Sequence, residues 1–335
     1  MPGAFVMTVT VGLFDAGYTR LKDRIDAMGL DIEIRAFDED GNFDIGGAKV
    51  PAADAEIDYL WLGPDLAGGS LGSLPFDVAL ACKRIDVLQT FNAGLDNPAY
   101  KKLSDKGIRI CNSSAQSVAI AEYTMAQALS LIHPIDDQRA AQAKKEWTRT
   151  PFREVANTTW LIVGFGPIGS TTAARAKAFS ATVNVIRRSP QTSEIVDAAG
   201  TMDDLERFLP NADVIVLACP LNDATRGFAG EAFFANIKQG AILINIARGA
   251  LIDDSAMIAA LDRGQLEAAA LDVFHTEPLP ADDPLWGHPK IRVTAHTSFA
   301  GDGTRLRWDE LFFDNLPRFV RGEPLMYEVA PADIV

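Results

Sequence analysis

Trp160-Leu161-Ile162-Val163 runs without a polar residue into Gly164-Phe165-Gly166-Pro167-Ile168-Gly169, and a helix-patterned stretch, Ile168–Ser180, follows. The apolar run reads as a strand buried on both faces. In a strand-to-helix turn each glycine has a mechanical task. Gly164 permits the tight bend, Gly166 lets a pyrophosphate approach the backbone, and Gly169 lets helix and strand pack closely. The helix start adds free N–H groups and a positive dipole end. The spacing alone is weak evidence; with a strand before it and a helix after it, the reading is a dinucleotide-binding turn contacting its ligand at Gly164, Gly166, Pro167 and Ile168.

Short apolar strands alternate with helix patterns on both sides of this turn. Upstream, Thr8–Phe14, Asp31–Ala36, Ile57–Leu62, Val87–Thr90 and Ile108–Cys111 read as strands. Downstream, Thr182–Ile186, Val214–Leu217, Ala241–Asn245, Ala268–Asp272 and Ile291–Thr294 do so. Alternation of this kind predicts α/β architecture with parallel sheets covered on both faces. Ser117–Ile132 is the longest helical pattern; it is apolar on most sides, and Ser117 is expected to cap it. Gly63–Pro75 and Gln142–Thr159 read as connections.

The chain has 335 residues, enough for about two domains, with 48% hydrophobic and 23% charged residues. Its formal net charge of −14 argues against a nucleic-acid surface. No apolar run reaches the roughly 18 residues of a membrane helix. Cys82, Cys111 and Cys219 are odd in number and far apart, so neither a disulfide framework nor a metal site is indicated. A cytoplasmic protein without membrane partners is expected.

Cofactor choice is read at the end of Thr182–Ile186. A site for NAD usually carries Asp or Glu there, to bind the ribose 2′-hydroxyl. Here Arg187-Arg188-Ser189 follows, which suits a 2′-phosphate through charge-assisted hydrogen bonds. NADP(H) is therefore the expected cofactor, with NAD a weaker alternative. Ligands of a doubly wound sheet bind beyond the carboxyl ends of its strands. Three later strands end near Arg248, Glu277 and His296. A fixed cation, a carboxylate and an imidazole beside a dinucleotide suit hydride transfer to a 2-oxo acid. Arg248 would bind the substrate carboxylate, His296 would donate the proton, and Glu277 would orient the imidazole. His275, one residue past Phe274, is expected to face away.

Asn245-Ile246-Ala247-Arg248-Gly249-Ala250-Leu251-Ile252-Asp253, Ala270-Leu271-Asp272-Val273-Phe274, Glu277-Pro278-Leu279-Pro280, Pro284-Leu285-Trp286 and Thr294-Ala295-His296 together resemble the D-isomer-specific 2-hydroxyacid dehydrogenases. Asn92-Ala93-Gly94-Leu95-Asp96, Ala119-Ile120-Ala121-Glu122 and Cys219-Pro220-Leu221 with Thr225 extend the likeness over residues 85 to 327. The resemblance implies a Rossmann cofactor domain, residues 111–298, inserted in a discontinuous flavodoxin-like substrate domain, residues 1–110 and 299–335. It implies Arg248, Glu277 and His296 as the catalytic set, and N–H groups near Ala93 and Gly94 as carboxylate donors. Cys219, Pro220 and Thr225 would lie along the cofactor, Ala247 near the nicotinamide and Asp272 near its carboxamide. A homodimer is implied too, with Ser117–Ile132 and the arm after it as candidate interface. Ala295 stands where the family usually has proline, and Asn92 where many members have a small residue. Arg187-Arg188-Ser189 resembles the NADPH-using glyoxylate and hydroxypyruvate reductase branch. A dehydrogenase of larger sugar-acid or aromatic 2-hydroxy acids stays open, as does a dinucleotide-sensing, corepressor-like module.

Overall fold

The computed structural model describes residues 8–66 and 71–334. The chain divides into two compact units, residues 1–115 with 302–335 and residues 116–301. The first contains β1 (Val9–Phe14), α1 (Asp15–Ala27), β2 (Ile32–Phe37), β3 (Asn42–Ile45), β4 (Ala48–Pro51), β5 (Glu56–Leu62), α2 (Leu74–Ala81), β6 (Arg84–Thr90), α3 (Pro98–Asp105) and β7 (Arg109–Cys111). The second contains α4 (Ser117–Ile132), α5 (Ile135–Lys144), β8 (Thr159–Val163), α6 (Pro167–Ala178), β9 (Thr182–Ile186), β10 (Ala198–Gly200), α7 (Leu205–Phe208), β11 (Val214–Leu217), α8 (Glu231–Asn236), β12 (Ala241–Asn245), α9 (Asp254–Asp262), β13 (Leu266–Leu271) and β14 (Ile291–Val293). α10 (Thr304–Val320) and β15 (Glu328–Val329) return to the first unit.

In the first unit the sheet order is β15-β7-β6-β5-β1-β2-β3-β4. The run from β7 to β2 is parallel, in the doubly wound order of flavodoxin-like folds. The 17-residue α10 supplies Phe312 and Leu316 to one apolar face, against Val11, Leu13, Tyr59 and Trp61. Phe312 stacks on Trp61 at 4.4 Å between centroids, and both rings are buried in this core. The β3–β4 hairpin closes across Gly46 and Gly47, both at positive φ, where glycine has no steric penalty. That hairpin and β15 are antiparallel additions to the parallel sheet foreseen from the sequence.

The second unit is a Rossmann sheet of seven parallel strands, ordered β10-β9-β8-β11-β12-β13-β14. Winding reverses between β8 and β11, the switch point at which such sheets bind ligands. β11 and β12 are buried at every residue, as strands covered on both faces must be. Their register matters for function. Ile186, Val163, Leu217, Asn245, Leu271 and Val293 are cross-strand neighbours in one row. Every segment leaving that row therefore starts at the same edge of the sheet.

Three local expectations are corrected. Ser117 does not cap α4: the cap position is Gln116, no side chain caps the helix, and Ser117 is buried as its first residue. Part of the arm that follows is the helix α5, which buries none of its residues; only from Lys145 to Glu154 is it irregular. Within Gly63–Pro75, Pro64–Leu66 form a single 3-10 turn and Leu74 opens α2, while residues 67–70 lie outside the described residues. Among the described residues no helix is long and apolar enough to cross a membrane.

Candidate active site

At the head of the row, Gly164 takes φ +104°, and a side chain there would meet the backbone of Ala218 and Cys219. A Cβ on Gly169 would collide with the Gly164 carbonyl oxygen. A Cβ on Gly166 would meet nothing within 4 Å. Two glycines are thus required by packing, while the third leaves an open face at the start of the 12-residue α6. Pro167 stands at the first helical position, where its missing N–H costs nothing. This bare backbone at a helix N-terminus fits a dinucleotide pyrophosphate.

At the end of β9 the guanidinium of Arg187 lies 5.1 Å from the centroid of the Phe165 ring, within cation–π range. Its backbone is held on both sides. Arg187 N–H donates to the Gly200 carbonyl, and Gly164 N–H donates to the Ile186 carbonyl, each at 2.9 Å. Arg188 and Ser189 are exposed. Cys219 is a buried free thiol, pushed up to about 12 by burial, and so is no nucleophile. Pro220 is exposed, and its carbonyl accepts the Thr225 hydroxyl at 2.8 Å. Thr225 is itself buried, so its hydroxyl shapes the loop beneath Pro220.

The β12, β13 and β14 exits carry the three polar candidates. Arg248 is half-buried, with its carbonyl accepting from Asn245 Nδ2 at 2.8 Å. Ala247 is buried, and its N–H donates to Asn245 Oδ1 at 3.0 Å. Gly249 adjoins the backbone of Phe274 and His275, where a side chain would collide, so the Arg248 and Glu277 loops abut. Glu277 Oε1 accepts Phe274 N–H at 2.9 Å, and Oε2 lies 2.7 Å from His296 Nδ1. A carboxylate only accepts, so Nδ1 carries a hydrogen and Nε2 faces outward from the pair. His275 turns instead to the Ile252 carbonyl, 3.0 Å from Nε2.

His296 has φ +50°, a conformation that costs a non-glycine residue roughly 1–2 kcal/mol. Asp272, fully buried, supports it. Its carbonyl accepts His296 N–H at 2.9 Å. Its carboxylate accepts Thr297 N–H, Ser298 N–H and the Thr294 hydroxyl at 2.9, 2.9 and 2.6 Å. Because Thr294 donates to Asp272, the Tyr123 hydroxyl 2.7 Å away donates to Thr294. Tyr123 was missed in the sequence reading: it lies outside the quoted motifs, and its partner Thr294, although part of one, is 171 residues away in the chain.

In the first unit, Ala93 and Gly94 lie just past β6 in a loop gripped by its carbonyls. Trp308 Nε1 donates to the Phe91 carbonyl at 2.9 Å, and Asn112 Nδ2 to the Ala93 carbonyl at 2.7 Å.

Residues 125–298 match the family model described as D-isomer specific 2-hydroxyacid dehydrogenase, NAD binding domain. Glyoxylate/hydroxypyruvate reductase A of Serratia proteamaculans is 34% identical over 250 residues, 73% of this chain and 78% of that protein. D-3-phosphoglycerate dehydrogenase of Methanocaldococcus jannaschii is 33% identical over 253 residues, 74% of this chain. The match covers 48% of that relative, so the chain spans about half its length. A D-isomer specific 2-hydroxyacid dehydrogenase of Xanthobacter autotrophicus Py2, solved in complex with NADPH and MES, shares the fold. Its TM-score is 0.77 at 24% identity, with 98% of this chain and 99% of that chain covered. Sequence and fold agree: the chain belongs to the D-isomer specific 2-hydroxyacid dehydrogenase family, and residues 125–298 carry the family's NAD-binding domain.

Proposed function

We propose that this protein is an NADPH-dependent reductase of a small 2-oxo acid of the glyoxylate or hydroxypyruvate kind, forming the D-2-hydroxy acid reversibly. The observation that carries the proposal is the His296–Glu277 pair, 2.7 Å apart, on the same row of strand ends as Arg248 and the glycine turn. The name of the Serratia relative points to the same substrate class.

The bound nicotinamide would supply a hydride to the substrate's carbonyl carbon. His296 Nε2–H gives its proton to the carbonyl oxygen, and recovers it in the oxidative direction. Glu277 fixes the tautomer and ring plane. Arg248 takes the substrate carboxylate with its planar fork of donors and polarises the adjacent carbonyl. Ala93 and Gly94 N–H groups supply further carboxylate donors. Asp272 keeps His296 in its left-handed conformation.

Gly164, Gly166, Pro167 and Ile168 would hold the pyrophosphate, and Arg187, Arg188 and Ser189 the 2′-phosphate, with NAD bound more weakly. Cys219, Pro220 and Ala247 would border the dinucleotide, with Thr225 holding Pro220 in place. In this reading residues 116–301 bind the cofactor and carry Arg248, Glu277 and His296, and the first unit contributes the Ala93 and Gly94 carboxylate donors. A homodimer is part of the proposal. It is supported by a groove along α4 and the end of α6, where Met125, Leu129, Ala178 and the exposed Phe179 lie beside the Arg175–Glu122 ion pair, and by Trp147, 95% exposed on the arm.

The test is loss of NADPH absorbance with a panel of glyoxylate, hydroxypyruvate, larger sugar 2-oxo acids and aromatic 2-oxo acids. Turnover of the two small acids, with NADPH favoured over NADH, is expected. Turnover restricted to the larger acids, or tight dinucleotide binding without turnover, contradicts the proposal.

A further inference from the structure

We infer that Asn112 is a positioning residue that aims the Gly94 N–H at the substrate carboxylate. The inference deepens the reading of Phe91–Leu95 as a carboxylate loop and rests on it. A trans peptide is planar, with its carbonyl and N–H pointing in opposite directions, so whatever holds the carbonyl also sets the N–H. Two consecutive carbonyls of the loop are held by two consecutive residues at the end of β7. Ser113 N–H donates to the Asn92 carbonyl at 2.9 Å, which turns Ala93 N–H away from β7. Asn112 Nδ2 donates to the Ala93 carbonyl at 2.7 Å, which turns Gly94 N–H away likewise.

Neither Ala93 N–H nor Gly94 N–H has an acceptor among the described residues, so each is left for a ligand oxygen. The grip is itself anchored. Asn112 N–H donates to the Tyr327 carbonyl at 3.1 Å, beside the pairing of Glu328 with Cys111. On the loop, Asn92 Nδ2 donates to the Tyr100 hydroxyl at 2.7 Å, so the Asn92 side chain is held away from both donors. Two neighbouring main-chain N–H groups, both turned away from β7, suit one carboxylate. A generic structural residue would not tie substrate charge to a carbonyl grip.

The test uses Asn112→Ala, Asn112→Asp, which keeps the shape but cannot donate, and Asn112→Ser, which keeps a donor. Readouts are KM and kcat for a 2-oxo acid, the same constants for its methyl ester, and oxalate affinity of the NADPH-loaded protein by calorimetry. Expected for Ala and Asp is a rise of about tenfold in the acid's KM, the loss of one charge-assisted hydrogen bond, with kcat changed far less. Oxalate affinity falls in parallel, the ester's constants change far less because its neutral oxygen is the weaker acceptor, and Ser lies between. Unchanged acid-to-ester discrimination in any variant that melts like the wild type overturns the role of Asn112. A wild-type protein that reduces no 2-oxo acid overturns the functional reading instead, and is seen before any variant is made.

Discussion

His296 meets its partners through two separate devices, and they predict different defects. The ring is set by Glu277, and the backbone by Asp272. Replacing His296 with Asn removes the proposed proton donor, so kcat is expected to fall by about 10²–10⁴-fold. Cofactor affinity, followed by NADPH fluorescence, stays unchanged; retained turnover would remove the imidazole from the chemistry. Replacing Asp272 with Asn leaves the Thr297 and Ser298 N–H groups facing a weaker acceptor, and the variant should lose both melting temperature and kcat. Arg187→Ala should weaken NADPH by about tenfold and NADH hardly at all, since a charge-assisted hydrogen bond is worth about 1.5–3 kcal/mol. Equal loss for both cofactors would refute the phosphate role. Cys82, Cys111 and Cys219 are buried, each thiol pushed up to about 12 by desolvation. The folded protein should therefore resist thiol reagents at pH 8 and react only on denaturation.

The glycine turn shows an element dictated by packing. Gly169→Ala places a methyl group on the Gly164 carbonyl oxygen, so β8 and α6 must separate. A fall in stability of about 1–3 kcal/mol, typical of an overpacked core, is expected by chemical denaturation, with weakened dinucleotide binding. A wild-type melting profile would show that the turn can yield. This element was legible in sequence because its meaning is local: apolar strand, spaced glycines and helix follow one another directly. The ends of β12, β13 and β14 were legible for the same reason, so Arg248, Glu277 and His296 could be placed at one edge before any coordinates. β10 reads Ala-Ala-Gly and β15 is only two residues long, so neither shows the apolar, β-branched run that marked the other short strands, and both escaped notice. The β3–β4 hairpin is little longer. Asn112 and Tyr123 escaped differently, because their partners, Ala93 and Thr294, become neighbours only through the fold.

At the scale of the molecule, the order of the strands explains why one sheet edge holds so much chemistry. Six strands of the second unit end in register, and all six segments that leave them hold a proposed cofactor or catalytic residue. The order itself could not be read from the sequence, since it rests on pairings between strands distant in the chain. The proposed homodimer belongs to this scale as well. Leu129→Glu or Phe179→Glu should shift the sedimentation profile from dimer to monomer by charging the α4–α6 groove. A wild-type monomer at micromolar concentration would remove that part of the proposal. The most direct measurement of the whole account is the rate of NADPH oxidation with glyoxylate and hydroxypyruvate, for wild type and for His296→Asn. The account predicts turnover by the wild type and its near-abolition in the variant, with NADPH still bound; no turnover by the wild type, or equal turnover by both, would contradict it.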